Sequence, residues 1–293
     1  MAETNKPPSR EVWENGDPST LPSFLRDRPR QVQQMGDDEE DDDLDLKCPS
    51  MGGHGTLEAL EVSRVLEGAG IVCCFTGTSA LIYYGAGRIR DDWDICVPSE
   101  LLQKAEHLLK SEAHSQSYVS VRSRSTIQPG SLKHTYPRFR ARDSRFYFVL
   151  VPSEDIHLTL EPSSIQKSHH GLPYPKLHVL IQSFLEAHDQ TSLVDVVDGS
   201  DVSEAWGEEN LDLAGPTDVA WALRKNEAIR SSTDTFRFGG GVPTRPVEKR
   251  ELWRRVVSTK TGRLGWTTPS SLFSTRFRLH GTPDPWLEAR DCS

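Results

Sequence analysis

Two aspartates one residue apart, Asp92 and Asp94, stand at the start of the apolar stretch WDICVP. Side chains at positions i and i+2 of a strand point to the same side of a sheet, so the two carboxylates would converge. Two negative charges held close together repel each other, and a cation placed between them relieves the repulsion. Carboxylate oxygens are ligands that Mg²⁺ prefers, together with the phosphates of a substrate. The pair therefore predicts a magnesium site formed by Asp92 and Asp94.

A turn of small residues precedes the pair. The apolar run IVCCF at 71–75 predicts a buried strand, after which the chain turns at Gly77, Thr78 and Ser79 into a short predicted helix. Small residues let backbone N–H groups approach an anion, and the start of a helix carries partial positive charge. Beside a magnesium site, this turn predicts a phosphate-binding site for a nucleotide.

Two arginines, Arg88 and Arg90, lie between the turn and the aspartates. Their guanidinium groups either bind the triphosphate of a nucleotide or offset the charge of the carboxylates. We include both among the predicted nucleotide-binding residues.

The order of these features resembles the nucleotidyltransferase superfamily, which includes polymerase-β-like, aminoglycoside-modifying and abortive-infection toxin enzymes. In that superfamily a Gly-Ser or Gly-Gly turn opens a helix, and an Asp-x-Asp motif follows on the next strand. Here Thr78 keeps the hydroxyl and the small volume of the second turn residue, and Asp92 follows Ser79 by thirteen positions. The layout also resembles fungal members of the superfamily, for which it implies no substrate.

The resemblance implies a Mg²⁺-dependent transfer of a nucleoside monophosphate from an NTP, with ATP the expected donor, to a hydroxyl of an unknown acceptor. Enzymes of this superfamily normally use a third carboxylate on a neighbouring strand. The stretch DIHLTLEP predicts such a strand, joined to the preceding one by a hairpin at SED, and its period of two places His157, Thr159 and Glu161 on one face. We select Glu161 as the third catalytic acid, with Asp155 as the alternative.

If neither acid reaches the metal site, the chain binds one ion and a nucleotide without efficient chemistry. The alternative function is then a catalytically inactive nucleotidyltransferase-fold protein that acts as a nucleotide-sensing, protein-binding or RNA-binding module. A weaker resemblance concerns two predicted helices at 177–198. Toxin-type members often carry a basic residue in the first and an Asp in the second, and Gln182 and Asp195 take these positions.

The elements that must position the site are of α/β type. Helix, strand, helix, strand and helix follow one another from residue 53, and a further strand is predicted at FYFVLVP. We expect an α/β domain with a small mixed sheet at 53–170 and a helical region at 171–293.

The charge of the chain is concentrated at its start. The formal net charge is −9, and residues 1–47 hold thirteen acidic and six basic residues, including seven consecutive carboxylates from Asp37 to Asp43. Such a block repels itself and buries no apolar area, so we predict a disordered tail over 1–52. Residues 237–290 hold eleven Lys and Arg residues and four acidic ones. This basic region is a solvated face, a contact for the acidic tail, or an RNA-binding surface.

Other patterns exclude several classes of protein. The chain has five cysteines without metal-ligand spacing, and three of them, Cys73, Cys74 and Cys96, lie in apolar runs typical of reduced core residues. No signal peptide and no stretch of eighteen apolar residues is present, so we expect a cytoplasmic or nuclear protein without a membrane partner. No Walker loop, dinucleotide fingerprint or nucleophile elbow occurs.

Overall fold

The computed structural model describes most of the chain after its acidic start. The described residues are 45–123, 130–200, 202–232 and 240–267, with the backbone alone for 264–267. The chain divides into two units between Asp45 and Leu46, and every element below belongs to the second unit. Residues 1–44 of the predicted disordered tail lie outside the described residues.

The last residues of the predicted tail are tied to the folded part. Lys47 forms a bridge with Ser144, and the backbone N–H of Ser50 donates to the Glu58 carboxylate at 3.0 Å. Residues 47–52 therefore belong to the folded part, which starts earlier than the sequence pattern indicates.

A five-stranded mixed sheet forms the centre of the described chain. Its strand order is β1-β2-β5-β4-β3, in which β2 and β5 run parallel and the other neighbours run antiparallel. A separate antiparallel pair is formed by β6 and β7. The strands are β1 (Cys74–Thr76), β2 (Trp93–Val97), β3 (Tyr118–Val121), β4 (Arg138–Ala141), β5 (Tyr147–Pro152), β6 (Ile165–Lys167) and β7 (Pro173–Pro175).

Ten α-helices surround the strands in the described residues. They are α1 (Ser50–Gly53), α2 (Thr56–Gly68), α3 (Gly77–Tyr83), α4 (Leu102–Lys110), α5 (Leu177–Glu186), α6 (Gln190–Gly199), α7 (Glu204–Asn210), α8 (Val219–Ser232), α9 (Lys249–Ser258) and α10 (Lys260–Thr267). Short 3₁₀ helices span Ser99–Leu101, Lys133–Thr135, Ser153–Ile156 and Pro162–Ser164. Among the described residues, no helix combines the length and the apolar character that crossing a bilayer requires.

The core explains why the central strands are apolar on both faces. All five residues of β2 are buried, and Phe75, Phe148 and Leu150 are fully buried beside them. Phe75 meets Trp93 edge to face, with ring centroids 4.8 Å apart. Burying side chains of this size stabilises a fold by roughly 1.5–3 kcal/mol each, so the central strands are held firmly. The elements that carry Asp92 and Asp94 therefore start from a rigid base.

The predicted α/β class is confirmed, and most predicted elements are present. The turn at Gly77 opens α3, and the stretch WDICV forms β2, as predicted. The described part of the predicted helical region contains the six helices α5 to α10. The predicted boundary between 170 and 171 falls inside the β6–β7 pair.

The predicted strand at DIHLTLEP is wrong. After β5 the chain enters the 3₁₀ helix Ser153–Ile156, and His157 adopts a left-handed backbone conformation with φ of 52°. A residue in that conformation interrupts the extended backbone, so the alternation of side chains expected for a strand does not apply. The face shared by His157, Thr159 and Glu161 therefore does not exist.

Candidate functional site

Asp92 and Asp94 lie where β2 begins, on the edge of a small cavity. Asp94 is buried, and its register partners are Thr76 on β1 and Val149 on β5. Arg138 on β4 is in turn the register partner of Val149. Residues directly opposite each other in neighbouring strands share a face of the sheet, so these four side chains form one row beneath the cavity.

The cavity has a volume of about 230 Å³ and contains both predicted metal ligands. We call it the carboxylate cavity. Its lining consists of Thr78, Ile89, Asp91, Asp92, Asp94, Ser131, Lys133, His134, Arg138 and Val149. The cavity thus brings three aspartates together with a lysine and an arginine.

Gly77 allows the backbone of the turn to approach Asp94. Its φ is +55°, and a Cβ built on it would lie 2.1 Å from Oδ2 of Asp94. Any side chain at this position would collide with the carboxylate and would also be strained in the left-handed region. The small residue of the turn is therefore required by Asp94 itself.

Two buried hydroxyls adjoin the same turn. Thr76 Oγ1 and Ser79 Oγ are buried and have no hydrogen-bond partner among the described residues. Buried hydroxyls are normally hydrogen-bonded, so these two are exceptions next to the Gly77 turn. Of the three predicted turn residues, Thr78 lines the cavity directly.

Arg138 holds Asp92 in a buried ion pair. Nε of Arg138 donates to Oδ2 of Asp92 at 2.9 Å, and its Nη2 approaches Oδ1 at 3.3 Å. The two side chains are only 8% and 10% exposed. Arg138 also donates to the carbonyl of Arg122 and lies 4.4 Å from the centre of the Tyr147 ring. The guanidinium is therefore fixed on several sides.

Lys133 forms the second ion pair, with Oδ2 of Asp94. Burial raises the pKa of Asp94, and the charge of Asp92 adds to this effect, whereas Lys133 and Arg90 oppose it. The net direction is upward, so burial outweighs the cations. Asp94 in its charged form thus depends on a nearby positive charge.

The structure places the two predicted third acids away from the carboxylate cavity. Asp155 forms an ion pair with Lys225, with Nζ 3.1 Å from Oδ1, and Glu161 is exposed at the start of the 3₁₀ helix Pro162–Ser164. Neither lines the cavity that holds Asp92 and Asp94. The position beside Asp94 on the neighbouring strand is occupied by Val149 instead.

The predicted arginines have other partners. Arg88 makes two hydrogen bonds to Asp195, at 2.7 and 2.9 Å, and so links the loop before β2 to α6. Arg90 lies over the Trp93 ring at 3.6 Å and donates to the carbonyl of His54. Ile89 between them lines the cavity and is 92% exposed. The two arginines therefore flank the site without lining it.

The two residues that carry the weaker resemblance also have structural contacts. Asp195 binds Arg88, as described, and the side chain of Gln182 bonds to Glu186 and to the backbone of Asp212. Neither residue lines the carboxylate cavity. The described part of the basic region includes Arg250 and Arg254, which both contact Glu208 on α7.

Sequence reasoning missed the two cations of the site. Lys133 and Arg138 both lie in the basic stretch KHTYPRFRAR, which has no readable period and predicts no element. Two adjacent carboxylates in a buried position require compensating charge, and this requirement was the only available signal. It did not indicate which of the many basic residues would supply the charge.

The donor set fits one magnesium ion. Asp92 and Asp94 offer hard oxygen ligands, and Mg²⁺ is usually held by one or two carboxylates that leave room for water and substrate phosphates. The described residues contain no group of three or more His, Cys, Asp or Glu side chains suited to a metal ion.

A second cavity, of about 600 Å³, is lined by Leu132 and Tyr136, which flank the 3₁₀ helix Lys133–Thr135. Its lining includes Tyr136, Asp155, His157 and Trp221. Burial raises the pKa of Tyr136, and Asp155 raises it further. The His157 ring makes a 3.0 Å contact with Asp218 and packs edge to face on Trp221, so its contacts are those of a structural histidine.

Comparison with known proteins gives matches among solved structures. No protein-family model matches the chain, and no curated protein sequence does. A solution structure of the antibiotic-resistance factor ANT(2'')-Ia shares 10% identity at a TM-score of 0.30, over 72% of this chain and 94% of that one. A crystal structure of ANT(2'')-Ia in complex with adenylyl-2''-tobramycin shares 13% identity at a TM-score of 0.31, over 60% and 97%. JHP933 from Helicobacter pylori shares 12% identity at a TM-score of 0.30, over 72% and 94%.

Because the TM-scores are low, the fold assignment rests on the element order of this chain itself. A short strand, a glycine turn that opens a helix, and an Asp-x-Asp motif at the start of the next strand occur in that order. The described chain has a mixed α/β fold with the element order that carries the resemblance to nucleotidyltransferases.

Proposed function

We propose that the chain is a nucleotidyltransferase that binds an NTP with Mg²⁺ in the carboxylate cavity and transfers its nucleoside monophosphate to a hydroxyl. The observation that carries the proposal is the convergence of Asp92, Asp94 and Thr78 on one cavity beside the Gly77 turn. ATP is the expected nucleotide, and the acceptor is a hydroxyl compound that the site does not specify.

Four residues of the cavity and two of the adjoining turn have a role in this proposal. Asp92 and Asp94 would hold the magnesium ion, which neutralises triphosphate charge and activates the attacking hydroxyl. The backbone of Gly77 and the hydroxyls of Thr78 and Ser79 would contact phosphate oxygens. Lys133, which lines the same cavity, would supply a positive charge that suits phosphate.

The test is calorimetric titration of the wild-type chain and of Asp94→Asn with ATP, with and without Mg²⁺. We expect the wild type to bind ATP in a Mg²⁺-dependent way and the variant to lose that dependence. Glu67→Gln is a matched control, because Glu67 contacts Lys167 on the surface and lies outside the cavity. Equal Mg²⁺ dependence in the wild type and Asp94→Asn would contradict the proposal.

A second candidate function is nucleotide binding without transfer. The observation that favours it is Val149, an apolar residue that occupies the position beside Asp94 on β5, so that this strand supplies no carboxylate there. With two carboxylates and a fixed Arg138, the site would hold an Mg²⁺–nucleotide complex but lack a base for the attacking hydroxyl. Such a chain would sense nucleotides or bind protein or RNA partners.

The two candidates differ in one measurement. ATP labelled on its α-phosphate is incubated with the chain and a panel of hydroxyl compounds, and label transfer and pyrophosphate release are followed. Transfer that Asp94→Asn abolishes supports the enzyme. Mg²⁺-dependent ATP binding without pyrophosphate release supports the sensor.

A further inference from the structure

The two cations of the carboxylate cavity are held very differently. Arg138 is the first residue of β4, is only 8% exposed and contacts Asp92, the Arg122 carbonyl and the Tyr147 ring. The Lys133 side chain is 41% exposed and lies on a single 3₁₀ turn. Lysine carries its charge on a flexible four-carbon stem, whereas the guanidinium plane of arginine is fixed by its fork of bonds. Lys133 is therefore the exchangeable cation and Arg138 the permanent one.

Lys133 binds the same carboxylate that a metal ion needs. Its ammonium contacts Oδ2 of Asp94, and this oxygen is also the atom that a Cβ built on Gly77 would approach most closely. An ammonium and a divalent cation repel each other strongly at such short range in a buried site. A metal ion at Asp94 therefore requires that Lys133 moves away.

A nucleotide offers Lys133 a new partner. Ammonium groups bind phosphate well as point charges, and Lys133 lines the cavity together with Thr78 and Ser131. A triphosphate in this cavity would draw the ammonium from Asp94 to a phosphate oxygen. The carboxylate is then free for the ion that accompanies the nucleotide.

We propose that Lys133 prevents a metal ion from binding Asp94 in the absence of nucleotide. Its ammonium leaves Asp94 only when it pairs with a phosphate of a bound nucleotide. Metal and nucleotide then bind cooperatively, and the site excludes a solitary divalent cation. This inference rests on the proposed function, since it concerns the same carboxylate and the same nucleotide.

The experiment measures Mn²⁺, as a spectroscopic substitute for Mg²⁺, by electron paramagnetic resonance with and without a non-hydrolysable ATP analogue. Without nucleotide, we expect Lys133→Gln to bind Mn²⁺ at least about tenfold more tightly than the wild type, because a repulsive charge is removed. Lys133→Arg keeps the charge and should bind Mn²⁺ as weakly as the wild type. Lys167→Gln is the matched control, because this surface lysine also pairs with a carboxylate but lies outside the cavity.

With the nucleotide analogue, Mn²⁺ affinity should rise in the wild type and rise much less in Lys133→Gln. Equal Mn²⁺ affinity of the wild type and Lys133→Gln without nucleotide would overturn the inference. An equal gain from the analogue in both proteins would overturn the cooperative part. If Lys133→Gln binds Mn²⁺ more tightly but no protein responds to nucleotide, the block by Lys133 stands and the proposed nucleotide function fails.

Discussion

Val149 lies directly beside Asp94 in the parallel pairing of β2 and β5, and Arg138 lies on its other side on β4. An apolar side chain thus separates the buried carboxylate from the buried guanidinium. The resemblance to nucleotidyltransferases leads one to expect a third carboxylate on a neighbouring strand. This single position therefore bears on both candidate functions.

Replacing Val149 by Asp is expected to strengthen metal binding. A carboxylate at this position would share a face with Asp94, and Arg138 would offset part of its charge. We expect Mn²⁺ affinity to rise by about tenfold, equivalent to about 1.4 kcal/mol. Val149→Asn, which has the same shape without the charge, is the control. Unchanged Mn²⁺ affinity in a folded Val149→Asp variant would show that residue 149 does not reach the ion.

The raised pKa of Asp94 predicts a pH-dependent stability. Because its pKa in the folded chain lies above the ordinary value of 3.8, the folded state binds the proton more tightly than the unfolded state does. The contribution of Asp94 to stability is therefore fully present below pH 3.8 and is lost as pH rises through the raised pKa. Asp94→Asn does not titrate, so its stability relative to the wild type should be higher at pH 7 than at pH 3.5.

Urea unfolding of both proteins at the two pH values checks this prediction. The groups that influence Asp94 are Lys133, Asp92 and Arg90. Glu67→Gln, a surface change, should show no comparable difference between the two pH values. A stability difference between Asp94→Asn and the wild type that stays constant with pH would contradict the expected upward shift of the Asp94 pKa.

The local part of the site was predictable and the non-local part was not. The turn at Gly77 and the aspartates of β2 follow from short-range signals, namely small residues after an apolar run and carboxylates before one. Arg138 reaches Asp92 across 46 positions and Lys133 reaches Asp94 across 39. These contacts depend on where β4 enters the sheet, which the irregular basic stretch before it does not indicate. The strand predicted to carry Glu161 is absent for a local reason. The backbone turns at His157, which ends the expected alternation of side chains.

Removing the buried guanidinium should destabilise the fold. Arg138→Met removes the guanidinium whose Nε lies 2.9 Å from Oδ2 of Asp92, and removing one partner of a buried ion pair costs about 3–5 kcal/mol. The double variant Arg138→Met, Asp92→Asn should lose less, because no uncompensated charge remains. Urea unfolding measures both, and Arg142→Met at an exposed arginine is the control. A loss below 1 kcal/mol in Arg138→Met would show that Asp92 finds water or another cation.

The close approach of the turn to Asp94 can be tested with a pair of glycines that differ in their surroundings. Gly77 and Gly70 both adopt positive φ, +55° and +74°, so alanine at either position is strained by about 1–2 kcal/mol. A Cβ at Gly70 meets nothing within 4 Å, whereas one at Gly77 would lie 2.1 Å from Oδ2 of Asp94.

Gly70→Ala should therefore lose only the stability that corresponds to the backbone strain, and it should keep Mg²⁺-dependent ATP binding. Gly77→Ala should lose more stability and displace the Asp94 carboxylate, which we expect to weaken ATP binding in the presence of Mg²⁺ by at least about tenfold, or about 1.4 kcal/mol. Calorimetric titration with ATP and urea unfolding separate the two effects. If both variants bind ATP equally well, the contact between the turn and Asp94 has no part in forming the site, since the shared backbone strain cancels in the comparison.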